Sequence, residues 1–345
     1  MIKNSTVFTL FVEYMRSMKE LVDHFPQQLR EAMEISRKAI LSPFPGTIRN
    51  VIISGLGGSG IGGSIISEVT RNECPVPVFV NKDYSCPAFA GPDTLFIVSS
   101  YSGNTEETLS ALAKAEEKGV KPVIITSGGK LALLAAEKGY DIITIPAGMP
   151  PRSCLGYSLC QLFHIFNRYG LINDDYKKQW ELSADRLERE SELIHETAHR
   201  FTETVLNTNP IIYSETPFEA LSVRICQQLS ENSKMLCSNR VIPEMNHNEL
   251  VGWREPQQNT SVVFIKTGLE FYRNQARFDY TKKVISHYCN RIFELEGKGE
   301  SALEQILYII HITDIASCIL AEKRGYDASE IDVIITLKDF LANMN

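Results

Sequence analysis

The sequence predicts an α/β protein built from two tandem, doubly wound parallel sheets with helices on both faces. Short β-branched runs alternate with stretches of helical periodicity, which is the pattern of a parallel sheet with crossover helices. The alternation is interrupted by a polar helical stretch and then begins again in the second half of the chain. A length of 345 residues is sufficient for two domains of ordinary size.

The first half is predicted to contain N-terminal helices followed by five strands. Residues 8–41 have helical periodicity with their charged residues on one side, which predicts a helix pair ahead of the sheet. Each predicted strand is a short run rich in Val and Ile that ends in a turn. A further helix is expected over residues 154–169. The five predicted strands are residues 51–54, 76–80, 95–100, 122–127 and 141–146.

The second half is predicted to repeat the first in degenerate form. A polar helical stretch, residues 173–201, leads into it. Its predicted strands take the places of the first, third and fourth strands, but YSETPFEA stands where SGLGGSGIGG stood, so the Gly-rich loop is lost. These strands are residues 210–214, 261–266 and 291–297. The predicted domains are residues 1–170, with the N-terminal helices, and 171–345, with the connecting helix and the C-terminal segment.

Two Gly/Ser turns in the first half predict a bound sugar phosphate. In residues 51–65 and again in residues 94–109, an apolar run ends in small residues and restarts as a helix. Small residues let the backbone approach an anion, and the helix presents unpaired N–H groups with a positive dipole end. Neutral donors of this kind suit a phosphate monoester better than a nucleoside triphosphate. The candidate phosphate-binding residues are Gly58, Ser59, Ser100, Ser102 and Thr105.

Two alternatives for these turns remain open. Gly55, Gly57 and Gly60 fit G-x-G-x-x-G, the fingerprint of a dinucleotide site, although the acidic residue that this reading requires is only poorly supplied by Asp83. The Ser/Thr-rich second turn is also not needed in a dinucleotide-binding fold. The other alternative is that both turns are structural and bind nothing.

The composition argues against several classes of protein. The formal net charge of −7 and the lack of a basic run disfavour a nucleic-acid-binding or anionic-membrane surface. The eight cysteines form no C-x-x-C pair and no zinc-type spacing with histidine, so we expect reduced core thiols in a cytoplasmic protein without a metal. The apolar N-terminal stretch is too short for a signal peptide. Residues 306–321 are interrupted by His311 and Asp314, and predict a buried helix.

Five segments together resemble one enzyme family. GLGGSGIGG, SYSGNTEETL, PPRSCLGYSL, LSENSK and PEMNHNELVGW occur in this order over nearly the whole chain. They are similar to the bifunctional phosphoglucose/phosphomannose isomerases, which have the sugar isomerase (SIS) fold. The resemblance implies a cofactor-free aldose–ketose isomerase of glycolysis or gluconeogenesis. It would interconvert glucose 6-phosphate, or mannose 6-phosphate, and fructose 6-phosphate through an enediol, as a homodimer whose active site is shared between subunits.

The resemblance also assigns roles to four residues. Glu231 would move the proton between C2 and C1, although by itself it reads as a surface Glu paired with Lys234 at i,i+3. His247 would open the sugar ring from the other subunit of the dimer, and Lys338 would assist it. Arg152 would stabilise the enediolate, for which a rigid guanidinium suits better than a mobile Lys.

Other functions fit parts of the sequence. They are a non-catalytic sugar-phosphate sensor, the isomerase half of an amidotransferase, a phosphoheptose isomerase and, least well, an NAD-dependent dehydrogenase. The joint presence of the four candidate catalytic residues disfavours the sensor, and the two copies of the fold disfavour phosphoheptose isomerase. One position departs from the family, because Ile331 stands where the family commonly has a Thr, at the same spacing from Lys338. We therefore expect a preference for glucose 6-phosphate over its C2 epimer.

Overall fold

The computed structural model describes residues 17–344, and these form twelve helices and nine strands. The part of the predicted N-terminal helix pair that covers residues 8–16 lies outside the described residues, and the remainder forms α1 and α2. The helices are α1 Met18–Asp23, α2 Phe25–Lys38, α3 Gly57–Val69, α4 Glu106–Glu116, α5 Gly129–Lys138, α6 Leu155–Arg168, α7 Asp175–Arg189, α8 Ser191–Val205, α9 Glu219–Glu231, α10 Tyr272–Ile285, α11 Ala302–Arg324 and α12 Asp332–Ala342. The strands are β1 Asn50–Ser54, β2 Val78–Asn81, β3 Thr94–Ser99, β4 Pro122–Thr126, β5 Asp141–Thr144, β6 Asn209–Glu215, β7 Ser238–Ile242, β8 Thr260–Lys266 and β9 Ile292–Glu296.

The strands form two separate parallel sheets, which confirms the predicted fold class. The first sheet has the order β2-β1-β3-β4-β5 and the second has the order β7-β6-β8-β9. All neighbouring strands in both sheets are parallel. Strands β6, β7, β8 and β9 therefore correspond in order to β1, β2, β3 and β4, as expected for a tandem repeat.

The two sheets share one hydrophobic core. Alternate residues of β1 point to opposite faces, so Val51 and Ile53 pack with α3 and α6, whereas Ile52 packs towards α4 and α5. In the second sheet, Val263 joins the same large cluster as Val51 and Ile53. One face of each sheet is thus buried in a common interior, and the helices of the two halves pack together there.

The long apolar helix α11 lies in this interior. By length and composition alone it could cross a membrane, but 94% of its apolar 18-residue segment is buried inside the protein. Ser301 caps its N-terminus by accepting a hydrogen bond from the Glu304 backbone N–H, and Gly325 ends it in the left-handed conformation. The prediction of a buried helix over residues 306–321 is confirmed.

Two secondary-structure predictions and the expected burial of the cysteines require correction. Strand β7 was missed, because its sequence SNRVI is polar and it lies at the edge of the sheet, where burial does not impose an apolar run. The polar stretch 173–201 forms two helices, α7 and α8, with the break at Glu190. The eight cysteines are free, but only four of them are buried in the core. The other four, Cys74, Cys86, Cys226 and Cys237, are partly exposed.

Candidate active site

The first predicted phosphate loop follows β1 and turns directly into α3. A Cβ atom at Gly55 would lie 2.6 Å from the Ser99 carbonyl oxygen, and one at Gly60 would lie 2.5 Å from the Gly55 carbonyl oxygen. Only glycine therefore fits at these two positions. Among residues 17–344, no side chain caps the N-terminus of α3. The first N–H groups of a helix have no acceptor in a preceding turn, so the uncapped start of α3 is compatible with the predicted anion site.

The second predicted loop lies beside the first, because β3 pairs directly with β1. The hydroxyl of Ser100 is buried and lies 2.7 Å from the hydroxyl of Thr105, which is the residue before α4. The hydroxyl of Ser102 accepts a hydrogen bond from the Asn104 backbone N–H at 3.2 Å. We call residues 55–60 and 100–105 the phosphate cradle. It consists of two helix N-termini with small hydroxyl residues at one edge of the sheet.

Arg152 lies against the phosphate cradle. A Cβ atom at Gly58 would lie 3.3 Å from the Pro151 carbonyl oxygen, so the first loop touches the turn that carries Arg152. The Arg152 side chain is only 3% exposed, so it is a buried cation and not a surface one. Burial lowers the pKa of this guanidinium, and the nearby carboxylate of Glu231 opposes that shift.

Three groups from the second half of the chain surround the Arg152 guanidinium. Its Nε donates to the Asn232 side-chain oxygen at 2.7 Å, and its Nη2 donates to the Ala328 carbonyl oxygen at 2.6 Å. Its Nη1 lies 3.7 Å from a carboxylate oxygen of Glu231. A buried cation thus faces Glu231, the residue that the family resemblance predicts to be the base.

Glu231 is the last residue of α9, and its side chain is 30% exposed. Within the described part of the chain, Arg152 forms an ion pair with its carboxylate, the Lys234 ammonium is close enough to interact with it electrostatically, and the carboxylate accepts no hydrogen bond. The expected pairing with Lys234 takes a different form, because the Lys234 ammonium donates to the Glu231 backbone carbonyl at 2.7 Å and to the Glu330 carbonyl at 2.8 Å. The carboxylate is therefore left open on one side, as a proton-transferring group needs to be.

A network of buried polar side chains supports Arg152 and Asn232, next to Glu231, on the side that faces the protein interior. Arg224, on α9, donates both to the Arg152 backbone carbonyl and to the Asp314 carboxylate, each at 2.8 Å. The Asn232 side chain donates to the Ser317 hydroxyl at 2.9 Å. One residue of this network stands out in the sequence, since Asp314 interrupts an otherwise apolar stretch. The partners themselves were missed, because they come from distant parts of the chain.

The structure does not bring His247 and Lys338 together with Arg152 and Glu231 in one chain. His247 is exposed in a 3-10 turn after β7, and Lys338 is exposed on α12. Among the described residues, neither side chain has a hydrogen bond or an ion pair with Arg152 or Glu231. The carboxylate of Glu249, two positions after His247, accepts hydrogen bonds from the Tyr213 hydroxyl and the Arg240 guanidinium.

The structure around Asp83 does not support the alternative of a dinucleotide-binding site. The Asp83 carboxylate is exposed and accepts hydrogen bonds from the Tyr84 backbone N–H at 2.7 Å and from the Ser85 hydroxyl at 2.9 Å. These local bonds hold its pKa below the usual value. Within residues 17–344 there is also no group of three or more His, Cys, Asp or Glu side chains arranged to hold a metal ion.

Comparison with known proteins finds a SIS domain in each half of the chain. Residues 49–151 match the SIS domain, and residues 194–341 match the bacterial phospho-glucose isomerase C-terminal SIS domain. A solved structure, the C-terminal domain of glucosamine-fructose-6-phosphate aminotransferase from Francisella tularensis, superposes with a TM-score of 0.72 at 14% identity. That alignment covers 92% of this chain and 99% of the solved one, and establishes a likeness of fold.

Two relatives found by sequence have a higher identity to this chain than that solved structure. The bifunctional phosphoglucose/phosphomannose isomerase of Caldicellulosiruptor bescii is 37% identical over 337 residues, which cover 95% of this chain and 99% of the relative. The enzyme of the same name from Aquifex aeolicus is 36% identical over 87% of this chain and 92% of its own. Both matches extend over nearly the whole chain. The chain belongs to the bifunctional phosphoglucose/phosphomannose isomerase family.

Proposed function

We propose that this protein interconverts glucose 6-phosphate and fructose 6-phosphate through an enediol, with mannose 6-phosphate as a second aldose substrate. The observation that carries the proposal is the Arg152–Glu231 pair, in which a buried guanidinium faces an open carboxylate at 3.7 Å beside the phosphate cradle. Family membership gives the substrate class, since the relatives bear the names of phosphoglucose and phosphomannose isomerases.

The phosphate cradle would hold the substrate phosphate. Backbone N–H groups at the start of α3 and the hydroxyls of Ser59, Ser100, Ser102 and Thr105 would donate to its oxygens. This fixes one end of the open-chain sugar and leaves C1 and C2 to extend towards Arg152. Binding through the phosphate contributes orientation, which the proton transfer needs.

Glu231 would transfer the proton and Arg152 would stabilise the charge. The carboxylate takes the proton from C2 of the aldose, the electrons move onto the C1 carbonyl oxygen, and an enediolate forms. The O2 hydroxyl passes its proton to O1, and the same carboxyl group returns the proton taken from C2 to C1, which gives the ketose with its carbonyl at C2. Arg152 has a fixed positive charge and is held in place by Asn232 and Ala328, so it favours the enediolate without reorganising. The net reaction requires no added redox cofactor or metal.

His247 and Lys338 would open the ring, and His247 would do so in the site of a second subunit. Two observations support a homodimer with a shared site. His247 is exposed, and α12, which carries Lys338, has no buried residue although much of its surface is apolar. We further propose a cytoplasmic enzyme without nucleic-acid or membrane partners, in line with the net charge of −7.

The proposal is tested by following fructose 6-phosphate with the purified protein by NMR, in the presence of a chelator and without nicotinamide. We expect conversion to glucose 6-phosphate, slower conversion to mannose 6-phosphate, and no measurable turnover of unphosphorylated fructose. Turnover of the free sugar at the same rate would contradict the phosphate cradle. Tight binding of fructose 6-phosphate without any conversion would favour the alternative of a regulatory sugar-phosphate sensor.

A further inference from the structure

The second domain has counterparts of both helices that form the phosphate cradle. Strand β1 pairs Asn50 with Thr94 of β3, and strand β6 pairs Asn209 with Thr260 of β8. Counting on from the two threonines, Thr105 and Phe271 occupy equivalent positions, and each is the residue that precedes its helix, α4 or α10. In the same way α9 follows β6 as α3 follows β1.

Both of these helix N-termini in the second domain face a carboxyl group of the chain itself. At α10, the Glu215 carboxylate accepts from the Phe271 backbone N–H at 3.2 Å and from the Asn274 side-chain amide at 2.5 Å. At α9, the two carboxyl oxygens of Glu68 lie 2.9 and 3.0 Å from the Ala220 backbone nitrogen, which donates to them. Carboxyl groups of the chain itself therefore occupy, in the second domain, the positions that are open in the phosphate cradle of the first.

Glu68 differs from Glu215 because it comes from the first domain. It lies near the C-terminal end of α3, the helix whose N-terminus begins the phosphate cradle. Ala220, in contrast, lies at the N-terminal end of α9, the helix that ends at Glu231. A carboxyl group at this end also suits the helix dipole when it is ionised.

The two helices run antiparallel, which places the phosphate and the base at the same end of the pair. Gly58 of α3 contacts the turn that carries Arg152, and Arg152 contacts Asn232, next to Glu231. The bond between Glu68 and Ala220 ties the opposite end of the pair. A sliding movement of α9 along α3 would change the distance between the bound phosphate and the Glu231 carboxylate.

We propose that Glu68 is a positioning residue, which fixes α9 against α3 and thereby holds Glu231 at the distance from the phosphate that proton transfer requires. This inference rests on the proposed isomerase function. It assigns Glu68 no contact with the substrate. Its loss should therefore act on the proton-transfer step and leave the phosphate cradle intact.

The test compares Glu68→Ala, Glu68→Gln and the unmutated protein in steady-state isomerisation of fructose 6-phosphate. The amide oxygen of Gln can still accept from the Ala220 N–H, whereas Ala cannot. We expect kcat of Glu68→Ala to fall at least about tenfold with KM within about threefold, and Glu68→Gln to recover kcat to within about threefold at pH 7. The inhibition constant of inorganic phosphate should stay within about twofold in both variants.

Glu137→Ala is the matched control, because Glu137 is exposed on α5. It should leave kcat unchanged. If Glu68→Ala does not fold, Glu68→Asp replaces it, since the shorter side chain withdraws the carboxyl group from Ala220. An unchanged kcat in Glu68→Ala, or a Gln variant that is as impaired as the Ala variant, would overturn the proposal.

A second readout does not depend on the isomerase activity. The backbone N–H of Ala220 should exchange with solvent deuterium at least about tenfold faster in Glu68→Ala than in the unmutated protein or in Glu137→Ala. Equal exchange would overturn the role of Glu68. If the unmutated protein exchanges as expected but does not isomerise fructose 6-phosphate, the proposed function fails and the tie between the helices stands.

Discussion

At the scale of residues, the candidate site is a fixed cation paired with an open carboxylate. Arg152 could be named from the sequence by its motif, and so could Glu231. The bonds that fix Arg152 could not, because Asn232 and Ala328 lie 80 and 176 positions away along the chain. Sequence patterns report local periodicity, whereas these contacts arise only when α9 and the end of α11 fold over the first domain.

Ile331 leads to a prediction about epimers. It directly precedes α12 and carries no hydroxyl that could hold a polar substrate group or a water molecule. Losing one such contact corresponds to about 1–3 kcal/mol. We therefore expect kcat/KM for glucose 6-phosphate to exceed that for mannose 6-phosphate by about tenfold or more. Parallel assays of the two aldoses with one enzyme preparation measure the ratio, and comparable values would remove Ile331 as the determinant.

Glu68 leads to a prediction about the pH dependence of stability. Burial, together with the nearby charge of Glu219, raises its pKa to about 8, although its bond to Ala220 and the charges of Arg71 and Lys82 act in the opposite direction. Between the ordinary carboxyl pKa of 4.5 and the folded value, the folded chain holds a proton that the unfolded chain has lost. The stability that this proton confers is present at low pH and is lost as the pH rises through 8.

Glu68→Gln should remove this pH-dependent loss of stability, because the amide of Gln does not titrate. Between pH 5 and pH 8, the free energy of unfolding of the unmutated protein should fall more steeply than that of the variant, by up to about 1.4 kcal/mol per pH unit. Urea unfolding at several pH values measures both slopes. Parallel slopes would show that Glu68 is ionised in the folded protein throughout this range.

At the scale of elements, the fold could largely be predicted from the sequence. Strands β1, β3 and β4 are buried on both faces and therefore read as continuous apolar runs. The sequence did not indicate β7, because it is a polar edge strand. It did not place α12 either, because none of the residues of α12 is buried among residues 17–344. An isolated helix of eleven residues is marginal in water, so we expect α12 to pack on a second subunit.

Substitution on α12 should therefore weaken the dimer. Leu337 and Phe340 are 54% and 62% exposed, and a charged residue at either position cannot be buried in an interface without a partner. We expect Leu337→Asp/Phe340→Asp to raise the dimer dissociation constant at least about a hundredfold, whereas the polar control Asp339→Asn should leave it unchanged. Sedimentation velocity over a concentration series makes the comparison. Equal dissociation constants for both variants would place the dimer interface elsewhere.

At the scale of the whole molecule, the two sheets share one interior, and the candidate site lies between them. The phosphate cradle comes from the first domain and Glu231 from the second. Arg152, just beyond the first sheet, contacts both. The domain division at residues 170 and 171 stays a prediction, because α7 and α8 follow that point and pack against α2 and α11, from both halves. Neither predicted domain alone contains both the phosphate cradle and Glu231.

A shared site predicts complementation between defective subunits. If His247 acts in the partner's site, a Glu231→Gln subunit paired with a His247→Ala subunit forms one intact site of the two. We expect the isolated mixed dimer to recover roughly half of the activity of the unmutated dimer, while each parent dimer is inactive. Differently tagged subunits allow the mixed dimer to be purified and assayed. An inactive mixed dimer would mean that both residues serve the same subunit.

The central claim is that Glu231, held beside Arg152, moves the proton between C2 and C1 of a sugar held by its phosphate. Its most direct test is the exchange of the C2 proton of glucose 6-phosphate with solvent deuterium, followed by NMR for the unmutated protein and for Glu231→Gln, with substrate affinity measured in parallel by calorimetry. The claim predicts that the variant loses exchange by at least about a hundredfold while its affinity for fructose 6-phosphate changes by less than about threefold. Exchange that persists in Glu231→Gln at the unmutated rate would contradict it and would assign the proton transfer to another residue.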